Sequence, residues 1–242
     1  MAKDEDIRIY EATKRKQVDK EHRLKEEICE IGKKLWLLGF VAGNDGNISV
    51  RLDDGTFLTT PSGVSKGDMT PDMIIRVNSI GGFYEGDNEY KPSSEFKMHL
   101  RCYQTRDDIG AVVHAHPPYA TAFAGANVPL DQYGLSETVM CLGSVPVTPF
   151  AVPGTSGVAD SIEPYLCDHD ALLLMNHGAL TLGRDLTQAY YRMETLEHTA
   201  KITHAAIALG GLKEIPRDKI DECCEIGRNM GIRNPGYVKY RQ

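Results

Sequence analysis

The stretch AVVHAHPPYA, residues 111–120, is an apolar run that carries two histidines separated by one alanine and closes on two prolines. Alternate side chains of a strand project to one face, so the run predicts a buried strand that sets His114 and His116 side by side at its end. Pro117 and Pro118 stop it. Two imidazoles so placed can share a metal ion. A His-X-His pair also arises by chance, and it gains weight only if a third ligand stands elsewhere.

ALLLMNHGAL, residues 171–180, offers that ligand: it reads as a second buried strand ending at His177, where Gly178 lets the backbone turn away and leaves the imidazole facing a cleft. In PSSE, residues 92–95, a helix start places Glu95 in its first turn. Three neutral imidazoles and one displaceable oxygen ligand suit Zn²⁺ or a similar divalent ion, with a position left open to substrate. By itself Glu95 reads equally well as a helix N-terminal carboxylate stabilised by the dipole. His22, His99, His169, His198 and His204 read as surface or core residues.

Around these segments, NISVRLDDGTFLTT (47–60) and MIIRVNSIGGFYEG (73–86) each resemble a hairpin, turning at Asp-Asp-Gly and Gly-Gly. VPVTPFA (145–151) reads as a strand and PSSEFKMHLRCYQTR (92–106) as a helix. Apolar residues from Leu24 to Leu38 recur at helical spacing with Gly39 as a stop, helical patterning returns over 186–210, and a charged tail punctuated by Gly and Pro follows. The expected fold is α/β: three layers, α/β/α, with a largely antiparallel central sheet and no dinucleotide-binding fingerprint. Residues 1–21, dense in both signs of charge, form an expected arm, and 22–242 a single domain.

At 242 residues and 41% hydrophobic content the chain can bury one substantial core, and a net charge of −7 argues against a surface built for nucleic acid or an acidic membrane. The six cysteines are scattered, with neither a disulfide framework nor C-x-x-C spacing. No stretch has the about 18 apolar residues of a membrane span, and the N-terminus lacks the apolar segment of a signal peptide. A cytoplasmic protein with reduced thiols is expected.

Five short motifs, G-N-I-S at 46–49, T-P-S-G at 60–63, S-S-E at 93–95, H-A-H at 114–116 and N-H-G at 176–178, occur in one order. In that order the chain resembles the class II aldolase/adducin family from about Leu24 to Ile232, and within it the aldolases that cleave ketose-1-phosphates of the L-fuculose-1-phosphate kind. The resemblance implies that His114, His116 and His177 hold one divalent ion per subunit, expected to be Zn²⁺. It makes Glu95 both a fourth ligand and the catalytic acid/base. Asn47, Ser62, Gly63, Ser93 and Ser94 match the positions that bind substrate phosphate. Hydroxyls, close backbone approach at a glycine and a helix N-terminus agree with that role. The implied reaction is reversible cleavage to dihydroxyacetone phosphate and an aldehyde through a metal-stabilised enediolate. Tyr133 matches a tyrosine that reaches a neighbouring subunit's site, in a homotetramer whose active sites lie at subunit interfaces.

Some positions depart from the family pattern. Met230 stands where the aldolases carry a second tyrosine, for which Tyr237 or Tyr240 could substitute, and Pro153 replaces an aromatic residue of the aldehyde pocket. The identity of the aldehyde therefore stays open. So do a pentulose-phosphate 4-epimerase, for which the resemblance would put aspartate at Glu95, and a sugar-phosphate dehydratase or decarboxylase. The intact ligand set argues against a non-catalytic, adducin-like interaction module.

Overall fold

Strand β4 (Ala111–Ala115) forms over the apolar run, and all of its residues are buried. The computed structural model describes residues 2–80, 82 and 89–229, with side chains described from Gln17 onward. On one edge β4 pairs antiparallel with β1 (Asn47–Arg51), which turns through Asp53 and Asp54 into β2 (Phe57–Thr59) and so on to β3 (Ile75–Val77). On the other edge it pairs antiparallel with β7 (Gly178–Gly183), followed by β6 (Ala171–Leu174) and β5 (Val147–Thr148). The sheet order is β3-β2-β1-β4-β7-β6-β5. Only β5 and β6 run parallel among the described strands, so the sheet is mixed but largely antiparallel, as the hairpin signals predict.

Both faces of the sheet are covered. Ile48, Val50, Ala111, Val113 and Ala179 pack beneath α1 (Ala2–Leu37), α3 (Pro118–Gly125) and α6 (Leu186–Ile207). Residues of opposite parity, among them Val112, Leu172, Leu180 and Leu182, pack beneath α2 (Phe96–Thr105) and α5 (Ser156–Ile162). Two buried faces explain why β4 and β6 read as unbroken apolar runs and not as alternating ones. Asp170, at the entry to β6, lies between Arg106 at 2.5 Å and Arg192 at 2.7 Å, joining the end of α2 to α6 through a buried ion triad.

The structure revises several local expectations. ALLLMNHGALTLG is two strands, β6 and β7, with the chain turning before Gly178 as expected, but β6 ends at Leu174 and Met175, Asn176 and His177 form the turn. Asn176 adopts φ 55°, a left-handed conformation that asparagine tolerates. The charged segment expected as an arm is, from Ala2, continuous with α1. The segment expected as a charged tail punctuated by Gly and Pro contains α7 (Arg217–Asn229), which buries Ile220, Cys224 and Gly227 on one side. The strand expected over VPVTPFA shrinks to two residues at the sheet's edge. The return strand of the Gly-Gly hairpin and the residues from Met230 onward lie outside the described residues. No described helix is long and apolar enough to cross a membrane.

Gly110 leads into β4, and a Cβ there would meet the carbonyl oxygen of Arg184 at 2.0 Å, a backbone atom that cannot move aside without breaking the β4–β7 ladder. Gly110→Ala is therefore expected to cost about 1–3 kcal/mol, as overpacking typically does. Urea unfolding should show a lower midpoint at unchanged slope.

Candidate metal centre and active site

The register of the sheet assembles the site. Asn47 pairs directly with His114, and Asn47, Ser49 and His114 share the face that receives α2. His116 follows the strand, its N–H donating to the carbonyl of Phe40 at 2.8 Å. His177 occupies the β6–β7 turn, one residue before β7. Gly178 is required there for its lack of a side chain, not for a turn conformation: a Cβ would stand 2.5 Å from His116 Cδ2 and 2.6 Å from the Ala115 carbonyl. The three rings lie 4.7–5.0 Å apart, centroid to centroid. Each offers one ring nitrogen, and these atoms lie within 4.8 Å of one another.

Glu95 completes the group from the N-cap of α2, one position before the first helical turn expected from sequence. Its Oε1 lies 3.2 Å from His177 Nε2 and its Oε2 3.4 Å from His114 Nε2. Asn47 Nδ2 donates to Oε2 at 2.8 Å and holds the carboxylate in place. Burial alone would raise the Glu95 carboxyl, but the hydrogen bond and charge from His114, together with His177 and Asn47, hold it well below the usual carboxylate range. Burial pushes His177 down to about 4, with His114 adding to the effect. His116 is lowered for the same two reasons.

Hydrogen-bond bookkeeping tests whether a cation fits. His114 Nδ1 lies 2.8 Å from the Ala179 carbonyl and His116 Nδ1 3.2 Å from Asp45 Oδ2, and both oxygens can only accept. In each neutral ring the proton therefore sits on Nδ1 and the lone pair on Nε2. The two Nε2 atoms face each other at 3.1 Å, an arrangement that is favourable only with a proton or a cation between them. Zinc–nitrogen bonds of about 2.0–2.1 Å in tetrahedral geometry put ligand nitrogens about 3.3 Å apart. The residues fit a divalent ion.

Beside this group opens a cleft of about 380 Å³ lined by Asn47, Ser62, Gly63, Ser93, Ser94 and Glu95, with His116, His177, Pro153 and Gly154. Backbone ties hold its two loops together: Ser62 N–H donates to the Lys91 carbonyl at 2.8 Å and Ser93 N–H to that of Thr60 at 3.3 Å. Its donors are hydroxyls and amides, and among the described residues its lining contains no arginine or lysine. A larger groove of about 480 Å³ lies along Tyr119, Phe123, Val128 and Ile207, but among the described residues its lining is mostly apolar, and the clustered polar groups belong to the smaller cleft.

Nine of the residues expected from sequence meet here; the tenth, Tyr133, is expected to serve a neighbouring subunit's site. Tyr133 is 2% exposed and packs with Val139, Ile220 and Cys224 beneath α7, outside the cleft of its own chain and away from the surface that a trans role requires. The cause is α7 itself, which the Gly- and Pro-punctuated pattern concealed; Ile215 N–H fastens the approach to α7 onto the Tyr133 carbonyl at 2.8 Å. Tyr237 and Tyr240 lie outside the described residues. Sequence reading missed Asp45 and Lys66, both in loops without periodic signal. His99 is a core residue, 0% exposed, with Nδ1 2.7 Å from Ser49 Oγ.

A family model, the class II aldolase and adducin N-terminal domain, matches residues 26–204. The chain is 35% identical over 190 residues to the 3-oxo-tetronate 4-phosphate decarboxylase of Escherichia coli K12, covering 75% of this chain and 86% of that protein. It is 34% identical over 178 residues to the L-fuculose phosphate aldolase of Methanococcus maripaludis, covering 74% and 94%. Among solved structures, an L-fuculose 1-phosphate aldolase superposes with a TM-score of 0.79 at 32% identity, covering 85% of this chain and 96% of that one.

Burial pushes His99 down to about 3, from an ordinary value of 6.5, and the charge of His114 acts in the same sense. Between those values the unfolded chain takes up a proton at this position that the folded chain does not, so stability is lost as pH falls from about 6.5 toward 3. His99→Gln should flatten this part of the dependence, measured as unfolding midpoints of the metal-free protein across that range.

Proposed function

The chain belongs to the class II aldolase and adducin family, and on that premise we propose that it is a metal-dependent carbon–carbon lyase whose substrate is a ketose-1-phosphate of the L-fuculose-1-phosphate kind. The observation that carries the proposal is the convergence of three Nε2 atoms and one carboxylate beside a cleft lined with phosphate-type donors. In this reading His114, His116 and His177 hold the ion, Zn²⁺ by the nature of the donors, and Glu95 is its fourth, displaceable ligand. The ion supplies Lewis acidity to the substrate carbonyl, which makes the adjacent carbon–carbon bond breakable near neutral pH.

The chain's own residues do the rest. Ser62, Gly63, Ser93 and Ser94 bind the phosphate through hydroxyls and backbone N–H groups, and Asn47 has a second amide N–H to add. The ionised Glu95, steered by Asn47, would first accept the proton that the cleaved hydroxyl or a water gives up and then return it to the carbon left with the electron pair. Homotetramer formation and the use of Tyr133 on a neighbour's aldehyde belong to this aldolase reading, and they require Tyr133 to emerge from beneath α7.

A second reading is decarboxylation of a 3-oxo-tetronate 4-phosphate. The likeness to the Escherichia coli decarboxylase and the burial of Tyr133 both support it, because carbon dioxide leaves without the acid that an aldehyde oxygen needs. Both substrates would give dihydroxyacetone phosphate, one with an aldehyde and the other with carbon dioxide. Assaying dihydroxyacetone phosphate from a panel of ketose-1-phosphates and from the oxo acid, with the co-product identified, decides between them. Release from neither set rejects both.

Glu95→Gln retains an oxygen donor but no base, so turnover should fall about 10²–10⁴-fold. The more direct measurement is hydrogen exchange between dihydroxyacetone phosphate and solvent without any aldehyde. Undiminished exchange in the Gln variant would assign the proton to another residue.

A further inference from the structure

Asp45 lies outside the five motifs, yet its Oδ2 stands 3.2 Å from His116 Nδ1 on the side of the ring opposite the ligand cluster. The turn that presents it is closed by Asp45 N–H donating to the Ala42 carbonyl at 2.9 Å. Lys66 anchors the same turn from below, its Nζ donating to the carbonyls of Asn44 at 3.1 Å and Val64 at 2.7 Å although the residue is only 1% exposed. Burial pushes the Lys66 ammonium down to about 8 while the charge of Asp45 opposes that shift. A buried cation thus ties the turn to the loop after Gly63.

His116 has particular need of such a hold. His114 lies inside a central strand with its Nδ1 fixed by a backbone carbonyl, whereas His116 lies beyond the strand end with its side chain 23% exposed. An imidazole there can turn about its side-chain bonds or exchange tautomers, and either motion withdraws Nε2 from the other ligands. We infer that Asp45 is a positioning residue for the metal centre: it holds His116 with the proton on Nδ1 and aims the Nε2 lone pair between His114 and His177. The inference rests on the metal-centre reading above. An outer partner of this kind typically changes metal affinity about 10–100-fold.

The test is a zinc titration of the metal-free chain against a chelator of known affinity, for the wild type, Asp45→Asn and Asp45→Leu. Asn keeps an oxygen that accepts from Nδ1 but loses the charge, so its dissociation constant should stay within a few-fold of wild type. Leu has a similar shape without an acceptor and should weaken zinc about 10–100-fold. Nitrogen-15 spectra of the zinc-loaded wild type should show His116 protonated at Nδ1 and metal-bound at Nε2, a readout that needs no variant to fold. A wild type that binds no zinc overturns the metal centre and this inference with it. Zinc binding by the wild type with an unchanged constant in the Leu variant overturns Asp45 alone, as does metal at Nδ1. Equal weakening in Asn and Leu would mean that charge acts and not the hydrogen bond, which also rejects the positioning role.

Discussion

Antiparallel pairing of β4 with β1 on one edge and β7 on the other is the constraint from which the site follows. One register sets Asn47 against His114, and the other sets His114 against Leu180, so that the turn carrying His177 comes level with the end of β4. A slip of one residue would send Asn47, Ser49 and His114 to the face of α1 and α6 and bring Ile48 and Val113 toward α2. The apolar residues that would then lose their partners enforce the register, and the polar residues are carried along with it.

That placement puts ionisable groups where their charges have to be managed. Burial disfavours the ionised Glu95 and the protonated His177 separately; each favours the other's charged form, while His114 favours the ionised Glu95 and pushes His177 further toward neutrality. Asn47 adds a neutral donor, and the Ala179 carbonyl orients His114 without adding charge. The result is a cluster with its lone pairs turned inward, a donor set that fits a divalent ion.

The cleft divides the labour between loops. One half is made by the loops around Ser62 and Ser93, locked together by backbone hydrogen bonds, and its neutral donors suit an anion without a countercharge in the lining. The other half, near Pro153 and Gly154, has few chemical groups of its own. In the proposed reading the first half serves an aldol cleavage and a decarboxylation alike, and the group that leaves meets only the second. Relatives with both activities are accordingly similar to this chain to nearly the same degree.

Sequence alone determined the elements whose signal is local. The apolar run with His114 and His116, the Asp-Asp-Gly hairpin, the PSSE helix start and the order of the five motifs are each legible from local sequence, and they account for the layered fold and for nine residues that the fold brings together. What escaped was decided by packing between distant segments. The turn at Gly178 was legible, but not that β6 already ends at Leu174, because both flanking strands are buried on both faces and read as one apolar run. α7 exists because Ile220 and Cys224 find Tyr133 and Val139, about 90 residues earlier in the chain, to cover, and covering them removes Tyr133 from the surface. Asp45 and Lys66 have no pattern of their own; they acquire a role only when the fold brings one carboxylate to His116 and one ammonium beneath two loop carbonyls. Periodicity records which face of an element is apolar, whereas contacts between elements depend on register and crossing, and these exist only once the chain has folded.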